Sequence, residues 1–294
     1  MQTALSRDAQ HQGDAPALRR SAAVAAGTRP AARDAAVEPD VMVMPLARGL
    51  SILSAFGQQK AWLGNQDIAL ATGIPMPTVS RLLHSLVALG YLWHDEARRK
   101  YCLAAAALSL GYAAAADSDV QQVAGAAMEE LAEATDTYVL LGTREQLDVI
   151  VLETRVARRT VLDLRFPPGT RMQIASSLMG WALLAALPEA ERCYLQTGIE
   201  RRAVHNWTLV RRRMTEKIAQ VHDLGFCMLR GEWEPGLACV AAPVCIPEHP
   251  PFVLACVTRA TCKTPTHIER ELGLRLVATT RALRRSLSTG TEAA

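Results

Sequence analysis

The sequence predicts an α+β chain built in two unlike parts, an N-terminal helical unit closed by a β-hairpin and a C-terminal mixed α/β unit. Three observations predict it. Apolar residues recur at helical spacing in short punctuated runs from Pro45 to Leu89, and two brief β-like runs follow them. From Tyr138 onward, strand-like and helical stretches alternate. The 294 residues, 50% hydrophobic and 21% charged, supply apolar material for about two cores. The same composition excludes a wholly disordered chain, a fibrous repeat and a disulfide-stapled miniprotein.

Residues 1–40 carry twelve alanines, five arginines and five acids with no apolar periodicity and no continuous apolar core of a signal peptide. They are expected to be a disordered tail. Leu46, Leu50, Leu53 and Phe56 then recur at helical spacing, and Gly57 closes the run. Asn65 is the expected N-cap of a short helix, Gln66 to Thr72, which stops at Gly73. Ile74-Pro75-Met76-Pro77 forms a tight connection, and Thr78 opens a third helix to Leu89. With Val79, Leu82, Leu83, Leu86 and Leu89 on one face of it, Thr78, Ser80, Arg81, His84 and Ser85 face outward. Two β-like runs, Tyr91 to His94 and Lys100 to Leu103, flank the charged turn Asp95 to Arg99. The order helix, helix, turn, helix, hairpin describes a winged helix-turn-helix over residues 41–103.

Residues 104–118 read as a linker helix and 119–294 as a second domain. In it, Val120 to Thr135 is helical. Tyr138 to Gly142 and Leu147 to Leu152 are strands about a turn at Thr143-Arg144-Glu145, and Thr160 to Leu164 is a further strand. Ser176 to Leu187 is a buried helix, Pro188-Glu189 opens the next, and Trp207 to Leu224 is a third. Strands at Phe226 to Leu229, Ala238 to Cys245 and Phe252 to Thr258 precede a last helix from Thr264 to Leu287.

The net charge is only +3, from 32 Lys+Arg against 29 Asp+Glu, so any nucleic-acid contact must come from a local arrangement. The exposed row on the third helix is such an arrangement. Its hydroxyls and helix start can hold phosphates, and Arg81 can present two donors to guanine O6 and N7 in a major groove, with His84 one turn beyond. Arg98, Arg99 and Lys100 crowd the hairpin turn, where a wing can straddle the backbone. Taken one at a time, these residues also suit a plain solvated helix face. Arg201-Arg202 and Arg211-Arg212-Arg213 are most simply such a face.

The stretch from Pro45 to Ala104, marked by the A-x-x-T-G-I-P-x-x-T-V-x-R-L-L-x-x-L-x-x-L-G-Y run from Ala69 to Tyr91, resembles the DNA-binding domain of IclR-family bacterial transcription regulators. Pro167 to Arg192 and Leu224 to Val244 are similar to two segments of that family's effector-binding domain. With the uncharged stretch Tyr101 to Ala116 too short to span a bilayer, a cytoplasmic protein with no membrane partner is expected. The resemblance implies a GAF-like C-terminal fold, a double-stranded DNA operator, a small-molecule effector and a homodimer or homotetramer. It implies neither a cofactor nor a catalytic site, and leaves repressor and activator open. Carried over by motif position, effector contacts fall on Ser177, Leu178, Met179, Leu229, Cys239, Cys256 and Thr258. Two positions depart from the family pattern. Leu229 stands where relatives have an acid, and Trp181 where Lys or Arg is usual, so the expected effector is an apolar or aromatic carboxylate.

Seven cysteines, Cys102, Cys193, Cys227, Cys239, Cys245, Cys256 and Cys262, form no CxxC pair and point to a reducing compartment. No His stands at zinc-ligand spacing, so no metal is expected. Two rival readings are a thiol-dependent enzyme using Cys239 or Cys256, and a winged helix that binds protein instead of DNA.

Overall fold

The structure, a computed structural model, describes residues 42–57, 61–116, 119–160, 162, 164–202, 206–246, 249–260 and 264–291. The stretch expected as a tail, 1–40, lies outside the described residues. The N-terminal unit is α1 (Met44–Leu53), α2 (Asn65–Thr72), α3 (Met76–Ala88) and an antiparallel hairpin of β1 (Leu92–Asp95) and β2 (Lys100–Leu103). Leu63 bridges Tyr101 antiparallel, tying the segment before α2 to the wing. Ile52, Phe56, Leu63, Ile68, Val79, Leu83, Leu86 and Leu92 form its core.

Three local expectations change. Helix α1 ends before Phe56, and Leu46 and Leu50 are exposed at 62% and 49% while Ile52 is fully buried. The inward stripe is thus rotated from the expected one, because Phe56 reaches the core from beyond the helix end. Asn65 is not the cap of α2: that helix begins on Gly64, whose N–H donates to the Asp67 carboxylate at 3.0 Å. Helix α3 starts two residues early, at Met76, since a first-turn proline loses no hydrogen bond there. Its far end also shifts, with Leu89 exposed.

The linker region is α4 (Ala105–Ala116), followed by α5 (Asp119–Thr135). The C-terminal sheet has six antiparallel strands in the order β5-β4-β3-β8-β7-β6. These are β3 (Tyr138–Glu145), β4 (Asp148–Val156), β5 (Arg171–Gln173), β6 (Cys227–Arg230), β7 (Leu237–Val244) and β8 (Phe252–Arg259). On one face lie α6 (Leu178–Ala186), α7 (Glu189–Arg202) and α8 (Trp207–Leu224). On the other lie α5 and a final helical run, which passes through a π-helical stretch (Ile268–Gly273) into α9 (Leu274–Thr291).

The turn expected at Thr143 to Glu145 is strand, and the chain reverses two residues later, with Gln146 at φ +56°. Thr160, Leu162 and Leu164 are not in a strand; the edge partner of β4 is Arg171–Gln173 instead. At the opposite edge, β6 presents Met228 outward, and α8 meets it. Lys217 Nζ donates to the Met228 carbonyl at 2.6 Å, and the Met228 N–H donates to Gln220 Oε1 at 3.1 Å.

Eight of the nine residues of α6 are buried. The helix starts so close to the preceding turn that a Cβ on Gly180 would lie 2.1 Å from the Ile174 carbonyl oxygen. Gly180→Ala should therefore destabilise the fold by about 2 kcal/mol or more, by forcing backbone apart in a packed interior. Gly49→Ala, with nothing within 4 Å on α1, should be neutral or stabilising by about 0.5–1 kcal/mol. Urea unfolding followed by circular dichroism compares the two.

Candidate nucleic-acid interface and effector site

The starts of α2 and α3 and the tip of the wing share one surface. Asn65 Nδ2 on α2 donates to Ser80 Oγ on α3 at 2.8 Å, and Ser80 Oγ donates to the Met76 carbonyl at 3.1 Å. The Arg99 carbonyl oxygen lies 3.6 Å from where a Gly64 Cβ would sit, bringing the wing tip against the start of α2. Ser80, Arg81 and His84 are exposed on α3 and Thr78 is half-buried. Arg81 makes no ion pair among the described residues, so its five donors are free to meet a base or a phosphate. The Ser80 hydroxyl is engaged in two bonds, one accepted from α2 and one donated within α3.

Arg98, Arg99 and Lys100 are exposed at the wing tip. Asp95 organises it, accepting the Arg98 N–H at 3.1 Å and lying 3.6 Å from the Arg98 Nε. Arg99 sits at φ +52°, the left-handed position that tightens the turn. His94 stacks on Tyr101 at 4.4 Å across the two strands, stiffening the wing below its tip.

In the second domain, strand register lines up four side chains across the sheet. Leu229 on β6 pairs with Cys239 on β7, Cys239 with Val257 on β8, and Val257 with Tyr138 on β3. All four belong to the buried cluster on the α6 face, together with Leu178, Met179 and Phe166. Above this row, Ser177 caps α6, its Oγ accepting the Gly180 N–H at 3.0 Å. Trp181 Nε1 donates to the Ala175 carbonyl at 2.7 Å, which ties the turn before α6 to its first full turn. Two surface cavities lie elsewhere: about 590 Å³ along Thr208, Arg212 and Ala219 of α8, and about 410 Å³ between Arg144, Glu191, Cys245 and His249.

The family description "Bacterial transcriptional regulator IclR C-terminal" matches residues 112–272, and "IclR helix-turn-helix domain" matches residues 45–96. An IclR family transcriptional regulator from Brucella abortus has the same fold, with a TM-score of 0.76 and 32% identity, covering 85% of this chain and 94% of that one. The chain belongs to the IclR family. It is 36% identical over 183 residues to the HTH-type transcriptional regulator TsaQ1/TsaQ2 of Comamonas testosteroni, covering 62% of this chain and 65% of that relative's length. An IclR homolog from Microbacterium hydrocarbonoxydans, crystallised with 4-hydroxybenzoate, shares the fold at a TM-score of 0.61 and 21% identity, covering 81% of this chain and 99% of that one. No helix among the described residues is long and apolar enough to cross a membrane.

Of the positions carried over from the IclR pattern, the structure gathers Ser177, Leu178, Met179, Leu229 and Cys239 on one face of the sheet. Cys256 and Thr258 do not join them. Side chains alternate along a strand, and Val257 is the β8 residue that faces α6, so its two neighbours point to the α5 and α9 side. Sequence reasoning missed Val257, Tyr138, Phe166 and Trp233. Tyr138 accepts the Phe166 N–H on its hydroxyl at 3.1 Å, and the Trp233 ring lies 5.6 Å from Phe166.

Two of the buried thiols do not suit nucleophilic chemistry. Burial pushes Cys239 and Cys227 up from their ordinary 9.0 to about 12, so both stay protonated at neutral pH. At pH 8, a thiol reagent should therefore modify exposed Cys193 in the folded protein and spare Cys227 and Cys239 until denaturant is added. Peptide mass spectrometry gives the order. The same shift has a stability sign. The unfolded chain loses these protons near pH 9 while the folded one holds them to about 12, so stability should fall as pH rises through that window.

Proposed function

We propose that this IclR-family protein binds a specific operator in double-stranded DNA and that a small carboxylate ligand sets how it does so. The observation that carries the first half is the common surface of α2, α3 and the wing, where Arg81 stands exposed on α3 and three cations crowd the wing tip. In this reading Arg81 is the base reader, Thr78 and His84 assist at base edges or phosphates, and Arg98, Arg99 and Lys100 neutralise phosphates. Ser80 acts by fixing the angle between α2 and α3. One recognition helix covers about half a turn of duplex, so specificity calls for at least two copies on a palindrome. Exposed Met44, Leu46 and Leu50 on α1, with Leu108 and Leu110 on α4, support a second copy docking through these helices.

The transverse row beneath the capped start of α6 supports the second half. A helix start favours a carboxylate, and the row around it is apolar. The same fold holds 4-hydroxybenzoate in the Microbacterium structure, which speaks for room in the fold. In this reading residues 41–103 are the DNA-binding domain, 104–118 the linker and 119–294 the effector and assembly domain of a cytoplasmic, non-enzymatic protein. Ligand would act by differing in affinity for two arrangements of the linker and its heads; equal affinity would do nothing.

On the operator, Arg81→Ala should cost about 1–3 kcal/mol and relax the preference at one base position. Arg98→Ala and Arg99→Ala should instead weaken all duplexes alike and flatten the salt dependence by about one unit of slope each. Fluorescence anisotropy across a salt series, on operator and scrambled duplex, separates the two patterns. No duplex binding by the parent protein at low salt would refute the reading.

A further inference from the structure

Resting on the effector reading above, we propose that Tyr138 and Trp233 are the residues that choose the ligand, and that they choose a flat aromatic acid. Tyr138 is 6% exposed and is the row member on β3. Its oxygen accepts the Phe166 N–H, but among the described residues its own O–H proton has no acceptor. An unspent donor in an apolar interior calls for an acceptor from outside the chain.

The aromatic character comes from the rings. Tyr138 meets Phe166 edge-on at 6.4 Å and 70°, and Phe166 meets Trp233 at 5.6 Å and 40°. Trp233 is 41% exposed, the outermost of the three. It sits in the connection from β6 to β7, bounded by Gly231 at φ +71° and Gly236 at φ +89°. Such a connection can swing one indole without disturbing the strands on either side. Among the described residues no charged side chain is buried, so the polar offerings around the row are neutral: the Tyr138 hydroxyl, a thiol held protonated, and the positive end of α6. Neutral donors with ring walls fit a planar ring bearing one acceptor group, with the Tyr138 O–H donating to that group and the Trp233 indole closing over the ring. A small, highly polar acid would bring charge without giving the rings anything to stack on.

Isothermal titration calorimetry of the full chain with benzoate, cyclohexanecarboxylate and acetate tests this. Benzoate should bind at least tenfold more tightly than cyclohexanecarboxylate, which has the same charge and ring size without a flat face. Tyr138→Phe should weaken benzoate at least tenfold. Trp233→Ala should abolish the preference for the flat ring by lowering benzoate affinity to the level of cyclohexanecarboxylate. Quenching of Trp233 fluorescence by benzoate, absent in Trp233→Ala, gives an independent readout. Equal binding of benzoate and cyclohexanecarboxylate, or benzoate binding indifferent to both substitutions, would overturn this inference and leave the effector reading standing. Failure of all three acids to bind would bring down both.

Discussion

Helix α6 is apolar on every side, and the C-terminal domain is arranged to hide it. Leu178, Met179, Trp181, Leu183 and Leu184 are all buried, each worth about 1.5–3 kcal/mol of burial. The sheet covers one side of the helix and α7 and α8 cover another. Two glycines permit the closeness: Gly180 lets the helix start settle on the Ile174 backbone, and Gly142 leaves space under the Met179 methyl. The helix start is therefore fixed over the row from Leu229 to Tyr138 by packing rather than by charge. A ligand site built there inherits a rigid roof, and the adaptable part is left to the connection that carries Trp233.

The DNA-facing unit solves the same problem with far less material. Its small core leaves little to hold three helices at fixed angles, so a polar contact does part of that work. Asn65 and Ser80 join the starts of α2 and α3, and Asp67 and Asp95 stitch the helix start and the wing tip. Polar residues that a sequence presents as free are partly spent on shape. Arg81 keeps its donors because the residues around it have taken the structural bonds.

Wherever signals were local, the fold could be read from the amino acids. Helix α8 ends where Gly225 takes its left-handed turn, and the wing lies within a residue of its expected place. The local signals ran out where the two faces of a strand had to be told apart across distance. From Phe252 to Thr258, strand β8 is buried without a break, so nothing in its sequence distinguishes the face of Val257 from that of Cys256 and Thr258. Only its pairing with β3 and β7 decides it. Tyr138 went unnoticed for the same reason: its partners Val257, Phe166 and Trp233 come from distant parts of the chain, and no spacing rule links them. The run Thr143 to Glu145 reads as a turn because it is polar, yet it lies half-buried at the end of a strand, and the reversal falls on Gln146 and Leu147.

The bonds from Lys217 and Gln220 to Met228 bear on how copies of this protein can assemble. Their donors and acceptors occupy the outward peptide group of the last strand, so a neighbour cannot zip its own backbone alongside at that point. Endless side-by-side growth is blocked there by two long side chains. Strand-to-strand pairing along this edge is interrupted at Met228.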